Sequence, residues 1–183
     1  MDEQKTTGTL YIVATPIGNS RDMSERGREI LSTADIIAAE DTRRSVVLLN
    51  KLGIRGNSLS ANHKFNEYGK AKWFIEQLAS GKDIAVITDA GTPCISDPGS
   101  VLVHEAAQAG IEVLAVPGAT AMASALSVSG FDTREFAFYG FLPRQKKDLE
   151  EKLLSIAHSG VPRKVISWSF VSRGTGAAAR FPR

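Results

Sequence analysis

The chain has 183 residues, 43% of them hydrophobic and 23% charged, with a formal net charge of +2. This composition is typical of a folded protein and excludes global disorder, and the small charge does not by itself indicate nucleic-acid binding. There is neither an apolar run of about 20 residues nor an N-terminal signal-peptide core, so we expect a cytoplasmic protein that does not interact with membranes. The single cysteine, Cys94, and three widely spaced histidines form no disulfide framework or metal-ligand pattern, so no metal is expected.

Short apolar segments alternate with longer segments of helical period. The predicted strands cover residues 10–14, 35–39, 83–87 and 111–116, and a weaker one lies at 58–60. The predicted helices between them cover about residues 24–33, 42–52, 66–80 and 98–109. Strands that are apolar at consecutive positions are typical of sheets buried on both faces. The alternation therefore predicts an α/β fold around a mostly parallel sheet.

The pattern changes after Val116, where Pro117 and Gly118 predict a turn before a helix of small residues at 121–129. We place a domain boundary here, which gives an N-terminal α/β domain at 1–117, a partial C-terminal α/β domain at 118–170 and a disordered tail at 171–183. The second domain is predicted to contain a strand at 135–143, a helix at 146–158 and a strand at 164–168. Two strands and one helix do not enclose a core, so this domain is expected to be incomplete.

The unusual residues of the first domain follow its predicted strands, in loops at residues 14–19, 40–44, 88–99 and 117–121. Ligands of open parallel sheets bind at the carboxyl ends of the strands, so these loops predict one site at that edge. The first loop lacks both the spaced glycines of a dinucleotide-binding loop and the Lys-Ser/Thr pair of a phosphate loop, which disfavours a pyrophosphate site.

Each loop also has a structural interpretation. Asp41 at the start of a helix is favoured, on sequence alone, as its N-cap. Residues 89–99 contain two glycines, two prolines and two acids, more turn chemistry than a simple crossover needs, which favours backbone close to a ligand, with amides suited to a zwitterion. Cys94 within that loop is favoured as a packed thiol over a nucleophile, because no histidine is adjacent.

The segment from His63 to Glu67 has two interpretations. The favoured one is a loop with Asn66 as the N-cap of the next helix. The alternative is a surface that faces RNA, with Phe65 stacking on a base, Lys64 meeting a phosphate and His63 or Glu67 handling a proton.

Taken together, five motifs resemble those of the ribosomal RNA small-subunit methyltransferase I family, within the tetrapyrrole methylase superfamily, and they occur in the same order. The resemblance covers about residues 9–160. The motifs are Leu-Tyr-Ile-Val-Ala-Thr-Pro-Ile-Gly-Asn at 10–19, Ala-Ala-Glu-Asp-Thr-Arg at 38–43, Thr-Asp-Ala-Gly-Thr-Pro at 88–93 with Ile-Ser-Asp-Pro-Gly at 95–99, Val-Pro-Gly-Ala at 116–119, and Gly-Phe-Leu-Pro at 140–143.

The resemblance implies a tetrapyrrole methylase-like fold of two α/β domains, with S-adenosylmethionine in the cleft between them. It also implies a homodimer and 2′-O-methylation of a cytidine in 16S ribosomal RNA of the small ribosomal subunit. Carried onto this sequence, the residues that contact the cofactor are Thr15, Pro16, Gly18, Asp89, Ala90, Gly91, Thr92, Ile95, Ser96, Ala119, Thr120, Phe141, Leu142 and Pro143.

The sequence departs from the family pattern in two places. Residues 62–67 keep His63, Asn66 and Glu67 but lose a second histidine and an acid. After Val165 and Ile166, the family continues with a different motif and roughly a hundred further residues, whereas this chain reads Ser-Trp-Ser-Phe-Val-Ser-Arg at 167–173. We expect from this a truncated or shifted reading frame.

Methyl transfer from a sulfonium to a ribose hydroxyl needs the oxygen held in line with the methyl group and relieved of its proton. The candidates for the proton acceptor or its relay are Glu40, Asp41, Asp89 and Glu67, with Arg43 and His63 orienting the nucleotide. The preferred hypothesis is an RNA methyltransferase, the second a methyltransferase of corrin or porphyrin precursors, and the third a non-catalytic remnant that binds cofactor or ribosome.

Overall fold

The computed structural model describes residues 7–64, 66–158 and 165–166, the last two as backbone alone. The chain divides into two compact units, residues 1–120 and 121–183. The division falls between Thr120 and Ala121, whereas the sequence places it after Pro117.

The first unit alternates strands and helices along its whole length, as predicted. Its elements are β1 (Leu10–Val13), α1 (Glu25–Thr33), β2 (Ile36–Ala39), α2 (Thr42–Lys51), β3 (Ser58–Ala61), α3 (Glu67–Ala79), β4 (Ile84–Ile87), α4 (Ser100–Gln108) and β5 (Val113–Val116). A short 3-10 helix, Ser20–Asp22, precedes α1. The predicted strands and helices of this unit are all present, including the weak strand near Ser58, so the α/β fold is confirmed.

The five strands form one parallel sheet in the order β3-β2-β4-β1-β5. Every residue of β2 and β4 is buried, because these strands are covered on both faces. Helices α1 and α2 pack on one face through Leu31, Leu49 and Leu52. Helices α3 and α4 pack on the other face through Phe74, Leu78 and Leu102. Successive strand residues point to alternate faces, which is why β1, β2, β4 and β5 contribute to both cores.

The chain leaves the neighbouring strands β1 and β4 toward opposite faces of the sheet. The segment that follows β1 leads into α1 on one face, and the segment that follows β4 leads into α4 on the other. In an open α/β sheet, this divergence opens a crevice at the carboxyl ends of the two strands, where ligands bind. The topology therefore places the candidate site between the loops that follow Val13 and Ile87.

The second unit contains α5 (Ala121–Ser127), β6 (Ala137–Phe138), α6 (Lys146–His158) and β7 (Val165–Ile166), with β6 and β7 paired in parallel. The strand predicted at 135–143 is wrong beyond Ala137–Phe138. Gly140 adopts φ of +62°, which turns the backbone out of the extended region, and Pro143 lacks the N–H that a longer ladder would use. Of the strand predicted at 164–168, only Val165–Ile166 is described, and the tail predicted at 171–183 lies outside the described residues.

Among the described residues, none of the helices combines the length and apolar character that a bilayer span requires.

Gly8 fixes the start of the sheet. Its N–H donates to the carbonyl oxygen of Leu78 at 2.7 Å, which ties the end of α3 to the entry of β1. A Cβ atom at this position would overlap the carbonyl oxygen of Lys82, which belongs to the backbone leading into β4. The entries of β1 and β4 therefore approach more closely than any side chain allows.

We expect Gly8→Ala to lower the free energy of unfolding by about 2 kcal/mol or more, because the neighbouring backbone has to move. Gly69→Ala is the matched control: Gly69 lies exposed in α3 with open space around it, so alanine there should raise stability by up to about 1 kcal/mol. Urea unfolding of both variants measures the difference, and equal midpoints would contradict the close approach at Gly8.

Candidate functional site

Two backbone hydrogen bonds clamp the loops that follow β1 and β4. The N–H of Thr15 donates to the carbonyl oxygen of Gly91 at 2.9 Å, and the N–H of Gly91 donates to that of Thr15 at 3.0 Å. Thr15 is fully buried, and its hydroxyl donates to the carbonyl oxygen of Thr88 at 3.1 Å. Gly91 has φ of +90°, a conformation that favours glycine. The clamp holds the crevice between the two strands in one shape.

The loop after β5 joins the same junction. The Thr92 hydroxyl donates to the carbonyl oxygen of Ala119 at 3.2 Å. A Cβ atom on Gly118 would lie 3.0 Å from that of Ala14, so the missing side chain lets the two loops touch. The structure thus brings together three of the loops that the sequence predicted to converge.

An open cleft of about 370 Å³ lies beside this junction. Its size is in the range of pockets that bind small molecules. Its lining comes from the loop after β1, the loop after β4 and α2. The lining residues are Pro16, Ile17, Gly18, Ser20, Asp89 and Ala90 from the loops, and Arg44, Val47, Leu48 and Lys51 from α2. Four predicted cofactor contacts, Pro16, Gly18, Asp89 and Ala90, therefore line one cleft.

Asp89 links the cleft to α2. Its Oδ2 accepts a hydrogen bond from Arg44 Nη1 at 2.8 Å. Its Oδ1 is buried and, within the part of the chain that the structure describes, accepts no hydrogen bond. Burial raises the pKa of Asp89, the nearby Glu40 raises it further, and Arg44 opposes the rise. A buried acceptor without a partner fits a ligand that brings a hydroxyl or amine to this wall.

Asp97, which the sequence analysis did not select, lies close to the other acids of the site. Burial raises its pKa to about 6, and the charges of Glu40 and Asp89 add to that rise. Its Oδ2 is buried and, among the described residues, has no hydrogen-bond partner. Glu40 accepts from the Thr88 hydroxyl at 2.6 Å. The signal that could have selected Asp97 is its place as the second acid of the 89–99 loop.

The described residues include no group of three or more histidine, cysteine, aspartate or glutamate side chains arranged to hold a metal ion.

The prediction that Asp41 caps α2 is confirmed. Its carboxylate accepts from the backbone N–H of Arg43 at 2.9 Å and from the Arg43 guanidinium at 2.8 and 3.0 Å. These hydrogen bonds, led by those from the guanidinium, lower the pKa of Asp41 to about 2. Catalytic roles for Asp41 and Arg43 stay predictions.

Glu67 contacts the loop after β4 and not the open cleft. Its carboxylate is buried at the start of α3, and Oε2 accepts from the N–H of Gly99 at 3.0 Å. This bond connects α3 to the start of α4. The contact suits a residue that positions the 88–99 loop, and the predicted proton-transfer role of Glu67 stays untested.

Asn66 is the N-cap residue of α3, as predicted, but its side chain makes no capping hydrogen bond. The side chain turns back, accepts from the N–H of His63 at 2.8 Å and donates to the carbonyl oxygen of Ala61 at 3.2 Å. A turn within the preceding loop thus competes successfully with the cap. His63 is half-buried next to this turn, and Phe65 lies outside the described residues.

The interpretation of Cys94 as a packed thiol is confirmed. Its backbone has φ of +68°, and its Sγ lies 4.0 Å from the carbonyl oxygen of Pro98. Burial, with the charges of Asp97 and Glu67, raises the pKa of the thiol to about 12. A thiol that holds its proton at neutral pH is a poor nucleophile.

The remaining predicted cofactor contacts are spread over two units. Ile95 is exposed, Ser96 and Thr120 are half-buried, and all three belong to loops of the first unit. Phe141 is exposed and Leu142 and Pro143 are half-buried in the second unit, between β6 and α6. Their part in cofactor binding stays a prediction.

Residues 9–162 match the family model of the Tetrapyrrole (Corrin/Porphyrin) Methylases, and the chain belongs to this family. Within it, the chain is 50% identical over 151 residues to Ribosomal RNA small subunit methyltransferase I of Haemophilus influenzae, which covers 82% of this chain and 53% of that protein. It is 43% identical over 166 residues to the protein of the same name in Escherichia coli O157:H7, which covers 91% and 57%. The chain spans about half the length of the curated relatives it matches.

Two solved structures share the fold. Uroporphyrin-III-C-methyltransferase from Thermus thermophilus matches with a TM-score of 0.56 at 20% identity, over 81% of this chain and 74% of that one. A conserved hypothetical protein from Aeropyrum pernix K1 matches with a TM-score of 0.60 at 18% identity, over 75% and 48%. At these identities the likeness shows the fold alone.

We expect Glu67→Ala to lower the free energy of unfolding by about 2 kcal/mol, because it leaves the buried N–H of Gly99 without an acceptor. Glu67→Gln keeps an acceptor and should cost less. Glu76→Ala, on the exposed side of α3, is the control. Urea unfolding measures all three, and a Glu67→Ala variant as stable as Glu76→Ala would show that the contact contributes little.

Asp97→Asn tests the buried carboxyl through its pH dependence. The pKa of Asp97 is about 6 in the folded chain and 3.8 in its ordinary range, which applies to the unfolded chain. Between these pH values the unfolded chain releases the Asp97 proton more readily than the folded chain, so the free energy of unfolding falls as the pH rises. The variant should therefore gain stability relative to the unaltered chain as the pH rises from 4 to 7, and gain nothing below 4. Unfolding at both pH values, with exposed Asp148→Asn as the control, measures this. A difference that does not change with pH would contradict it.

Proposed function

We propose that this chain forms the cofactor-binding and substrate-facing part of a methyltransferase that uses S-adenosylmethionine to methylate the 2′-hydroxyl of a cytidine in 16S ribosomal RNA. The observation that carries the proposal is the clamped junction of Thr15, Gly91 and Ala119 at the carboxyl ends of β1, β4 and β5. Relatives that are 43–50% identical are named as small-subunit ribosomal RNA methyltransferases, which supports RNA as the substrate.

The residues of the cleft fit the proposed cofactor. The buried Oδ1 of Asp89 is an acceptor for a hydroxyl or amine, and the clamp at Gly91 holds the loop that carries Asp89 and Ala90 in place. S-adenosylmethionine, when bound, supplies an electrophilic methyl group on a sulfonium. The chain itself has to hold the ribose oxygen in line and accept its proton.

The carboxyl groups of Glu40, Asp89 and Asp97 are the proton acceptors that the geometry supports best. The charges of Glu40 and Asp89 raise the pKa of Asp97, and a value of about 6 lets Asp97 change charge near neutral pH, as general-base catalysis requires. Asp97 extends the set that the sequence predicted. Glu40→Ala and Asp97→Asn should each slow turnover more than they weaken cofactor binding.

A methyltransferase acting on a corrin or porphyrin precursor is the second candidate. The family model favours it, but the relatives at 43–50% identity favour RNA. A homodimer remains a further proposal for which sedimentation is the test.

Incubation with methyl-labelled S-adenosylmethionine separates the candidates. Label in the RNA of small ribosomal subunits, at a position that resists alkaline hydrolysis, supports ribose methylation. Label in a tetrapyrrole supports the second candidate. Cofactor binding without transfer to either substrate supports a non-catalytic protein.

Gly91→Ala should weaken binding of S-adenosylmethionine about tenfold or more, because a Cβ atom is strained at φ of +90° and the loop has to change shape. Isothermal titration calorimetry measures the affinity, with Gly69→Ala as the control and thermal unfolding to show that both variants are folded. Unchanged affinity in Gly91→Ala would argue that the loop does not contact the cofactor.

A further inference from the structure

Helix α2 and the segment after it carry four cations, two of which are paired with acids: Arg43 with Asp41 and Arg44 with Asp89. Residues 42–57 contain Arg43, Arg44, Lys51 and Arg55 and no aspartate or glutamate. Arg44 and Lys51 lie two turns apart on the same side of α2, separated by about 10 Å along the helix axis, and both line the cleft. A row of cations at this spacing can meet different phosphates of one strand.

The same helix exposes apolar side chains between these cations. Val46 is 43% exposed and Val47 is 55% exposed, although α2 otherwise packs its apolar residues against the sheet. Val47 lines the cleft between Arg44 and Lys51. An apolar patch flanked by cations fits a nucleotide strand, which presents phosphates on one side and the faces of sugars and bases on the other.

The cleft leads from this helix to the clamped loops. Asp89 and Ala90 of the loop after β4 line it together with α2, and Asp89 pairs directly with Arg44. An RNA strand that lies along α2 would therefore bring one ribose to the loop at which the methyl group of the cofactor is proposed to lie. The cleft of about 370 Å³ is assigned to the cofactor, so the RNA has to lie along its α2 side and present one unpaired nucleotide at its mouth.

From charge complementarity, exposed apolar surface and position, we propose that α2, through Arg44, Val47 and Lys51, binds a single-stranded segment of ribosomal RNA and guides it to the cleft. The proposal rests on the proposed function, because RNA is the substrate assumed there. It adds the surface that holds the strand and assigns Lys51 to a phosphate and Val47 to a base or sugar.

Binding of a fluorescein-labelled, single-stranded cytidine-containing RNA to the full chain, followed by anisotropy over a range of salt concentrations, tests the proposal. Lys51→Ala should reduce the slope of log affinity against log salt by about 0.7, because one phosphate contact is lost. Lys51→Glu should weaken binding about tenfold. Val47→Ser should weaken binding without changing the slope, because it removes no charge.

Lys72→Glu is the matched control, since Lys72 is an exposed lysine in α3, on the other face of the sheet. It should leave affinity within about twofold and the slope unchanged. The proposal is overturned if the chain does not bind the RNA or if Lys51→Glu and Lys72→Glu behave alike. Sedimentation adds a further check: if Val47→Ser dissociates a dimer, the patch is an interface between copies of the chain and the RNA assignment is wrong.

Methyl transfer to small ribosomal subunits, measured on the same preparations, separates the two proposals. RNA binding that depends on Lys51, without methyl transfer, supports the surface and contradicts the proposed function. Methyl transfer that is equal in Lys51→Glu and Lys72→Glu supports the function and overturns the surface.

Discussion

The pair of backbone hydrogen bonds between Thr15 and Gly91 is the constraint on which the site depends. Strands β1 and β4 are neighbours, but the chain leaves them toward opposite faces of the sheet, so the gap between their ends would otherwise widen. Two hydrogen bonds across this gap fix both loops relative to the sheet. Because the bonds use backbone groups, they need a particular conformation at residue 91, and glycine supplies it. The cleft beside α2 takes its shape from this clamp.

The strands and helices of the first unit could be predicted because the hydrophobic pattern of each segment reflects which of its residues are buried. A strand covered on both faces has to be apolar at every position, as Ile36–Ala39 and Ile84–Ile87 are. The order of the strands could not be predicted in this way, since it depends on contacts between distant segments. Asp97 was missed for the same reason: its neighbour Glu40 is distant in sequence and close only because β2 pairs with β4.

The N-termini of α2 and α3 show that a residue suited to an N-cap does not always make the capping hydrogen bond. Asp41 and Asn66 are both N-cap residues, yet only the Asp41 side chain accepts a hydrogen bond from its helix. The Asn66 carboxamide has both a donor and an acceptor, so it satisfies His63 and Ala61 in the preceding turn instead. A carboxylate can only accept hydrogen bonds. The Asp41 carboxylate accepts them from the backbone N–H and the guanidinium of Arg43 at the start of α2. The competing partners are visible only in three dimensions.

The Arg44–Asp89 pair connects the proposed RNA-binding surface of α2 to the carboxyl groups proposed to accept the ribose proton. Arg44 lowers the pKa of Asp89 against the effects of burial and of Glu40. A phosphate that binds Arg44 competes with Asp89 for the same guanidinium, so it weakens the contact through which Arg44 favours the ionised Asp89 carboxylate. By linkage, an RNA strand bound to Arg44 and a proton held on Asp89 then favour each other. Arrival of the RNA would thus raise the capacity of Asp89 to take up a proton at the step that releases one from the ribose.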